Sequence, residues 1–305
     1  MGFVVASSVT CGLLRGDPRP ARVVAVLDAA VYLEVPFRPR DGATGDSGSG
    51  GSRSGEPAVA WVALLARDAV RVPIGLVTAL PSQRRPFAAV TAGDEAVIGG
   101  GELALPGRRA DGGGAVHRPL RYWDPTVPRF GAALATASAA RRAEALAQPA
   151  AVLPHVETDP WGALVEALEA ALGAPIPDPR RLAEAVGALA GLGPGLTPAG
   201  DDVLAGALVT LAASGDGARR AALARAVEGV AGRTTPLSAA LLAQAAAGRA
   251  VPQVGDVLRA VAGSGDLDAV IARLGRVGHT SGAALALGMR AALRATTGRA
   301  LRRCA

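Results

Sequence analysis

The 305-residue chain contains no lysine and no asparagine, has only two cysteines, and draws 3% of its residues from Phe, Trp and Tyr. Without lysine there is no Schiff-base lysine, no lysine general base and no P-loop lysine, so whole enzyme classes drop out. Cys11 and Cys304 stand near opposite ends in no metal-ligand spacing, which indicates neither a zinc site nor a disulfide framework and fits a reducing compartment. A basic segment followed by an apolar run and a small-residue cleavage site is absent from the N-terminus, and Gly or charged residues interrupt every apolar stretch short of a membrane span. The expectation is a cytoplasmic protein with no membrane partner.

Scarce aromatic residues also leave little for stacking nucleic-acid bases. The net charge of +6 rests on arginines spread along the whole chain with acids among them, a compositional bias rather than a basic face, so nucleic acid is not an expected partner. Half of the residues are hydrophobic and nearly all of these are Ala, Leu and Val, a composition that favours closely packed helices over an aromatic-rich sandwich.

Two textures follow one another along the chain. From Val4 to about Tyr122, Val-rich runs at Arg22 to Asp28, Ala30 to Val35, Val59 to Leu65, Arg71 to Leu80 and Ala88 to Ile98 are separated by Gly, Pro and Asp, the pattern of short strands. Residues 41–57 hold Gly, Ser and mixed charges with almost no apolar side chain and read as a flexible loop inserted between strands; a shorter Gly-rich turn spans 110–115. After Trp123-Asp124-Pro125 the texture becomes Ala, Leu, Arg and Glu with helical periodicity. The fold class expected is α+β: a β-rich N-terminal domain over 1–125, built as a small barrel or sandwich, followed by an α-helical domain over 126–305. Helices are expected from Asp159-Pro160 to Leu172, Asp178-Pro179 to Ala190, Pro198 to Ala213, Ala218 to Val230, Pro236 to Ala247, Asp256 to Ala262, Leu267 to Leu274 and Ser281 to Thr297.

Three glycine-bearing turns in the helical half concentrate the unusual chemistry. The first, Gly191-Leu192-Gly193-Pro194-Gly195-Leu196-Thr197-Pro198-Ala199-Gly200-Asp201-Asp202, offers Thr197 as a helix cap, Pro198 as the first helical residue, and free amides beside a glycine loop, a general recipe for holding an anion. Asp159-Pro160 and Asp178-Pro179 open ordinary helices similarly, so a well-made cap is the plain alternative. Gly200 in the first turn costs about 1 kcal/mol against Ala, which points to a close approach by backbone or ligand. Asp201 shares the side of the apolar stripe Leu204, Leu208 and Leu211 and points inward, where it needs a partner; Asp202 turns roughly 100° away. Adjacent carboxylates gain from the helix dipole, and they also suit amide or guanidinium donors or a divalent ion. A strand-turn-helix context is missing ahead of Gly191, which excludes a dinucleotide fingerprint.

The second turn, Gly232-Arg233-Thr234-Thr235-Pro236-Leu237-Ser238, has Thr235 as cap and Pro236 as first helical residue, with Arg233 able to grip a carboxylate or phosphate in bidentate fashion. Arg233 paired with Asp201 or Asp202 is an equally good structural reading. The third, Gly278-His279-Thr280-Ser281-Gly282, opens the last helix, with Leu285, Met289 and Leu293 as its buried stripe. His279 is placed for proton transfer or simply for a surface cap. His117 and His155 carry no signal.

In this order, behind a β-rich half, the three turns resemble the AllH-type family, associated with a subunit of oxamate carbamoyltransferase in allantoin (purine) catabolism; the resemblance is strongest from Gly191 to Met289. It implies participation in carbamoyl transfer between phosphate and oxamate, with other subunits of a complex as partners. The site expected on the combined reading has Asp201, Asp202 and His279 as catalytic residues. Gly193, Gly195, Thr197, Gly200, Arg233, Thr234, Thr235, Ser238, Thr280 and Ser281 surround a small anionic metabolite, with no cofactor and no metal. A non-catalytic assembly or anion-binding subunit is the alternative; a metal-dependent hydrolase, which lacks a His/Asp ligand cluster, ranks below both.

Overall fold

Residues 2–37, 58–106, 115–147 and 161–304 are described by the computed structural model. The insertion expected at 41–57, nearly all of the turn at 110–115, His155 and the Asp159-Pro160 helix start lie outside them. The chain divides into two units, Met1–Asp124 and Pro125–Ala305.

The first unit comprises β1 (Gly2–Ser7), a short helix α1 (Cys11–Arg15), β2 (Arg19–Leu27), β3 (Ala30–Phe37), β4 (Ala58–Leu65), β5 (Gly75–Thr78), β6 (Glu95–Gly99), β7 (Glu102–Leu105) and β8 (Ala115–Trp123). The strands close into a barrel in the order β1-β5-β4-β3-β2-β6-β7-β8, which decides between barrel and sandwich. Closure pairs β1 with β8 and β4 with β5 in parallel, the remaining neighbours being antiparallel. Period-two alternation builds the interior: in β3 Val31, Leu33 and Val35 are buried, while Glu34 faces out and its carboxylate meets Arg22 of β2 at 3.0 Å. Leu33, Val62, Leu64, Leu76, Ile98 and Leu103 fill the barrel with no exposed surface, each contributing about 1.5–3 kcal/mol through apolar burial.

The expected runs Arg71 to Leu80 and Ala88 to Ile98 contract to the short β5 and β6. Ahead of β6 the Asp94 carboxylate accepts from the Thr91 amide and hydroxyl at 2.8 and 2.9 Å, closing a turn where an extended strand was expected.

The second unit holds α2 (Ala137–Ala143), α3 (Trp161–Gly173), α4 (Pro179–Leu189), α5 (Ala199–Ser214), α6 (Gly217–Glu228), α7 (Pro236–Ala246), α8 (Pro252–Val261), α9 (Leu267–Leu274) and α10 (Ser281–Cys304). Helix α5 is its axis: 12 of its 16 residues are buried, the signature of a helix enclosed on all sides. Along α5 lies α10, so close that a Cβ on Gly206 would collide with the Leu285 carbonyl and one on Gly288 with the Val203 carbonyl. The alanine- and glycine-rich composition thus translates into helix axes that approach to backbone contact. Several expected boundaries move, among them the end of α6, at Glu228 instead of Val230. Helix α8 opens at Pro252, a proline at its first turn, four residues ahead of Asp256. Helix α10 continues past Thr297 to Cys304, and α5 starts at Ala199 instead of Pro198.

Candidate functional site

Asp201 is where the first two turns join. At Gly191 the chain leaves α4 with φ +74°, and the Gly191 amide donates to Asp201 Oδ1 at 2.9 Å. Asp201 Oδ2 accepts from the Ser238 hydroxyl at 2.7 Å and from the Thr234 hydroxyl. The carboxylate, 2% exposed, therefore has three donors supplied by two turns separated by more than thirty residues. A Cβ on Gly191 would strike the Arg233 carbonyl, so these turns also meet backbone against backbone. Thr235 completes the junction: its hydroxyl donates to the Leu196 carbonyl at 2.6 Å and accepts from the Ser238 amide at 3.0 Å, capping α7 as expected.

Helix α5 begins differently from expectation. Pro198 occupies the cap position and no side chain caps the helix, so Thr197 is not its N-cap. The Gly200 amide donates to the Leu192 carbonyl at 2.9 Å, and the Asp201 and Asp202 amides reach the Pro198 carbonyl at 3.0 and 3.2 Å. Three amides expected to face an anion are thus already bonded within the loop. Gly200 is required by this curl, because a Cβ there would collide with the Leu189 carbonyl at the end of α4. Gly193 and Gly195 take φ +110° and +98°; a Cβ on Gly193 would crowd the Ala199 amide, whereas the space beside Gly195 is open.

Asp202 faces the third turn. Burial raises its carboxyl to about 7; a hydrogen-bonding contact from the Ser281 side chain pulls the other way, and the neighbouring Asp201 charge adds to the rise. Asp202 and Ser281 each keep part of their surface exposed, yet Asp202 Oδ2 is sealed from solvent and has no hydrogen-bond partner. The starts of α5 and α10 therefore meet at one carboxyl group with an unused acceptor atom. Close by in the chain, His279 is exposed and Thr280 partly so, the Thr280 carbonyl accepting from Ala284 at 3.0 Å. The adjacent aspartates divide three turns between them: Asp201 holds the first and second, and Asp202 meets the third.

Arg233 pairs with neither aspartate. It is exposed, and its Nη1 lies 3.0 Å from where a Cβ on Gly187 of α4 would stand, so the guanidinium rests over a glycine that leaves it room. Among the described residues no group of three or more His, Cys, Asp or Glu side chains is arranged to hold a metal ion.

A separate cleft of about 970 Å³ opens elsewhere in the second unit, lined by Glu144, Glu166, Glu169, Arg181, Arg290 and Arg294 among others. None of the expected site residues lines it. Arg290 and Arg294, one turn apart on α10, were the available sequence signal. Both guanidiniums are already bonded to carboxylates: Arg290 and Arg294 reach Glu144 at 3.2 and 2.9 Å, and Arg294 reaches Glu169 at 2.7 Å.

No helix among the described residues is long and apolar enough to cross a membrane. Neither the curated proteins nor the solved structures contain a significant match to this chain. Residues 189–293, about a third of the chain and the span that carries all three turns, match the family described as oxamate carbamoyltransferase subunit AllH, the family that the turns resemble.

Proposed function

We propose that this chain is an AllH-like subunit of an oxamate carbamoyltransferase-type assembly in allantoin breakdown, and that it holds a small anion, oxamate or carbamoyl phosphate, where its three turns meet. The observation that carries this reading is that the matched segment contains the two adjacent aspartates and every turn gathered on them. Arg233 supplies the anion anchor: it is exposed, forms no ion pair with Asp201 or Asp202, and follows from a backbone pinned to Gly191. Asp201, engaged by three donors, positions the turns. In carbamoyl transfer to oxamate, a bond forms between the oxamate nitrogen and the carbamoyl carbon, the carbon–oxygen bond to phosphate breaks, and the nitrogen gives up a proton. A carboxyl held near 7 is suited to receive that proton, which assigns the acid–base role to Asp202, with exposed His279 passing the proton to solvent.

Carbamoyl transfer by the assembled subunits, containing this chain as wild type or as Arg233→Ala, tests the reading. Loss of at least about tenfold in apparent affinity for the anionic substrate is expected from removing a charge-assisted contact. Unchanged kinetics would remove Arg233 from the site.

A second reading, a non-catalytic assembly subunit, is favoured by one observation: the amides of Gly200, Asp201 and Asp202 are bonded within the loop, as a purely structural lock requires. Absence of heat with oxamate, carbamoyl phosphate and simple dicarboxylates, for the chain alone and with its partner subunits, would favour that role.

A further inference from the structure

We infer that Asp202 is the group by which the site tells a carboxamide from a carboxylate. The inference rests on the small-anion site proposed above and assigns its polarity: the charged end of the ligand goes toward Arg233, and the amide end goes toward Asp202.

The argument begins with an atom that has no partner. Asp202 Oδ2 is sealed from solvent and unbonded, whereas the carboxylate of the adjacent and more deeply buried Asp201 collects three donors. An unpaired buried acceptor is costly, and the cost disappears when a donor arrives. The first amides of its own helix do not serve it: those of Gly200, Asp201 and Asp202 are committed to Leu192 and Pro198, and from the third turn the Ser281 side chain makes a hydrogen-bonding contact to the carboxyl. A ligand that brings an N–H or O–H to this atom would supply the missing partner. Asp202 and Ser281 both retain some exposed surface, which puts the pair near the edge of the junction, one side-chain rearrangement away from solvent.

The same atom repels the closest competitor. Replacing a ligand's terminal amide by a carboxylate exchanges two N–H donors for acceptor oxygens and adds a negative charge. Such a group brings two acceptors and two negative charges face to face at Asp202, with Asp201 one residue away. Arg233 alone would favour the more highly charged ligand. A preference for the amide consequently reports on Asp202 and not on general attraction for anions.

Oxamate and oxalate form the matched pair for the test, since they differ only at that end. Calorimetry on the full chain with its partner subunits, at pH about 8 where the Asp202 carboxyl is ionised, is expected to show oxamate binding at least about tenfold more tightly than oxalate. In Asp202→Asn the side-chain amide can donate to a carboxylate, and the ratio is expected to fall by about tenfold or to invert; thermal unfolding of the variant confirms that it is folded. Equal affinity of the wild type for both ligands overturns the inference without any variant, as does a ratio unchanged in folded Asp202→Asn. If neither ligand binds, the small-anion site fails along with it; if both bind without discrimination, the site stands and only the role of Asp202 falls.

Discussion

Replacing Asp201 by alanine should open the junction of the first two turns. The carboxylate accepts from the Gly191 amide, the Ser238 hydroxyl and the Thr234 hydroxyl, at a position 2% exposed, so water cannot readily take its place. A hydrogen bond to a charged acceptor contributes about 1.5–3 kcal/mol, and each donor stranded in a buried setting adds a desolvation penalty of about 1–3 kcal/mol. These contributions overlap, and removing Asp201 also relieves its repulsion of Asp202, so the net loss expected is about 3–5 kcal/mol. Asp201→Asn keeps an oxygen for the Gly191 amide and turns an NH₂ toward two hydroxyls that can rotate to accept; about 1–2 kcal/mol is expected there. Urea unfolding followed by far-ultraviolet circular dichroism, which reports chiefly on α2 to α10, measures both variants against wild type. A loss below about 1 kcal/mol for Asp201→Ala would refute the junction argument. So would an asparagine variant as unstable as the alanine one, because acceptor geometry would then not be what matters.

Two further outcomes follow from the same residues. Thr235 caps α7 while Thr197 caps nothing, so Thr235→Ala should cost about 1–2 kcal/mol, raised by loss of its bond to Leu196, and Thr197→Ala less than about 0.5 kcal/mol in the same urea assay. Asp202 titrates with a carboxyl raised from 3.8 to about 7. A raised carboxyl contributes stability that is fully present below the unfolded value and is lost as pH climbs through the folded value, so lowering pH from about 8 to about 5.5 should favour the wild type over Asp202→Asn by up to about 2 kcal/mol. The Asp201 carboxylate and the Ser281 hydroxyl are the groups that act on it, and differential scanning calorimetry of the two proteins across that range gives the difference. A pH-independent difference would sink the assignment.

Much of the architecture could be read from local pattern. The switch near Trp123 from Val-rich runs to Ala/Leu periodicity marks the end of the barrel strands, and Asp178 and Thr235 cap α4 and α7 as their Asp-Pro and Thr-Pro sequences indicate. Where local pattern failed, a distant partner had taken over. Thr197-Pro198 has the same appearance as Thr235-Pro236, but the Leu192 carbonyl captures the Gly200 amide and shifts the helix start to Ala199. Nor does any periodicity reveal Arg219, which is 1% exposed: its guanidinium bonds the Leu172 and Ala174 carbonyls at the end of α3 and the Asp216 carboxylate. A buried arginine of this kind satisfies helix-end carbonyls that belong to another part of the chain, and sequence spacing holds no trace of them.

The adjacent aspartates show most clearly what spacing can and cannot tell. Two residues in succession on a helix lie about 100° apart, so Asp201 and Asp202 must face different neighbours; that much is geometry. Which neighbour each one meets depends on helix packing set by Gly200, Gly206 and Gly288, whose missing side chains let α4 and α10 approach α5 to backbone contact. The result is a division of labour between chemically identical groups. Asp201 is enclosed and fully bonded, so changing it should be felt first in stability. Asp202 keeps one acceptor unused where α5 and α10 begin, so changing it should be felt first in ligand choice and in the dependence on pH. A carboxylate pair used as a joint metal or catalytic unit would predict the opposite, similar functional losses at both positions with little change in folding. Measuring stability and ligand preference on both variants side by side therefore separates a positioning residue from a recognition residue within a single dipeptide.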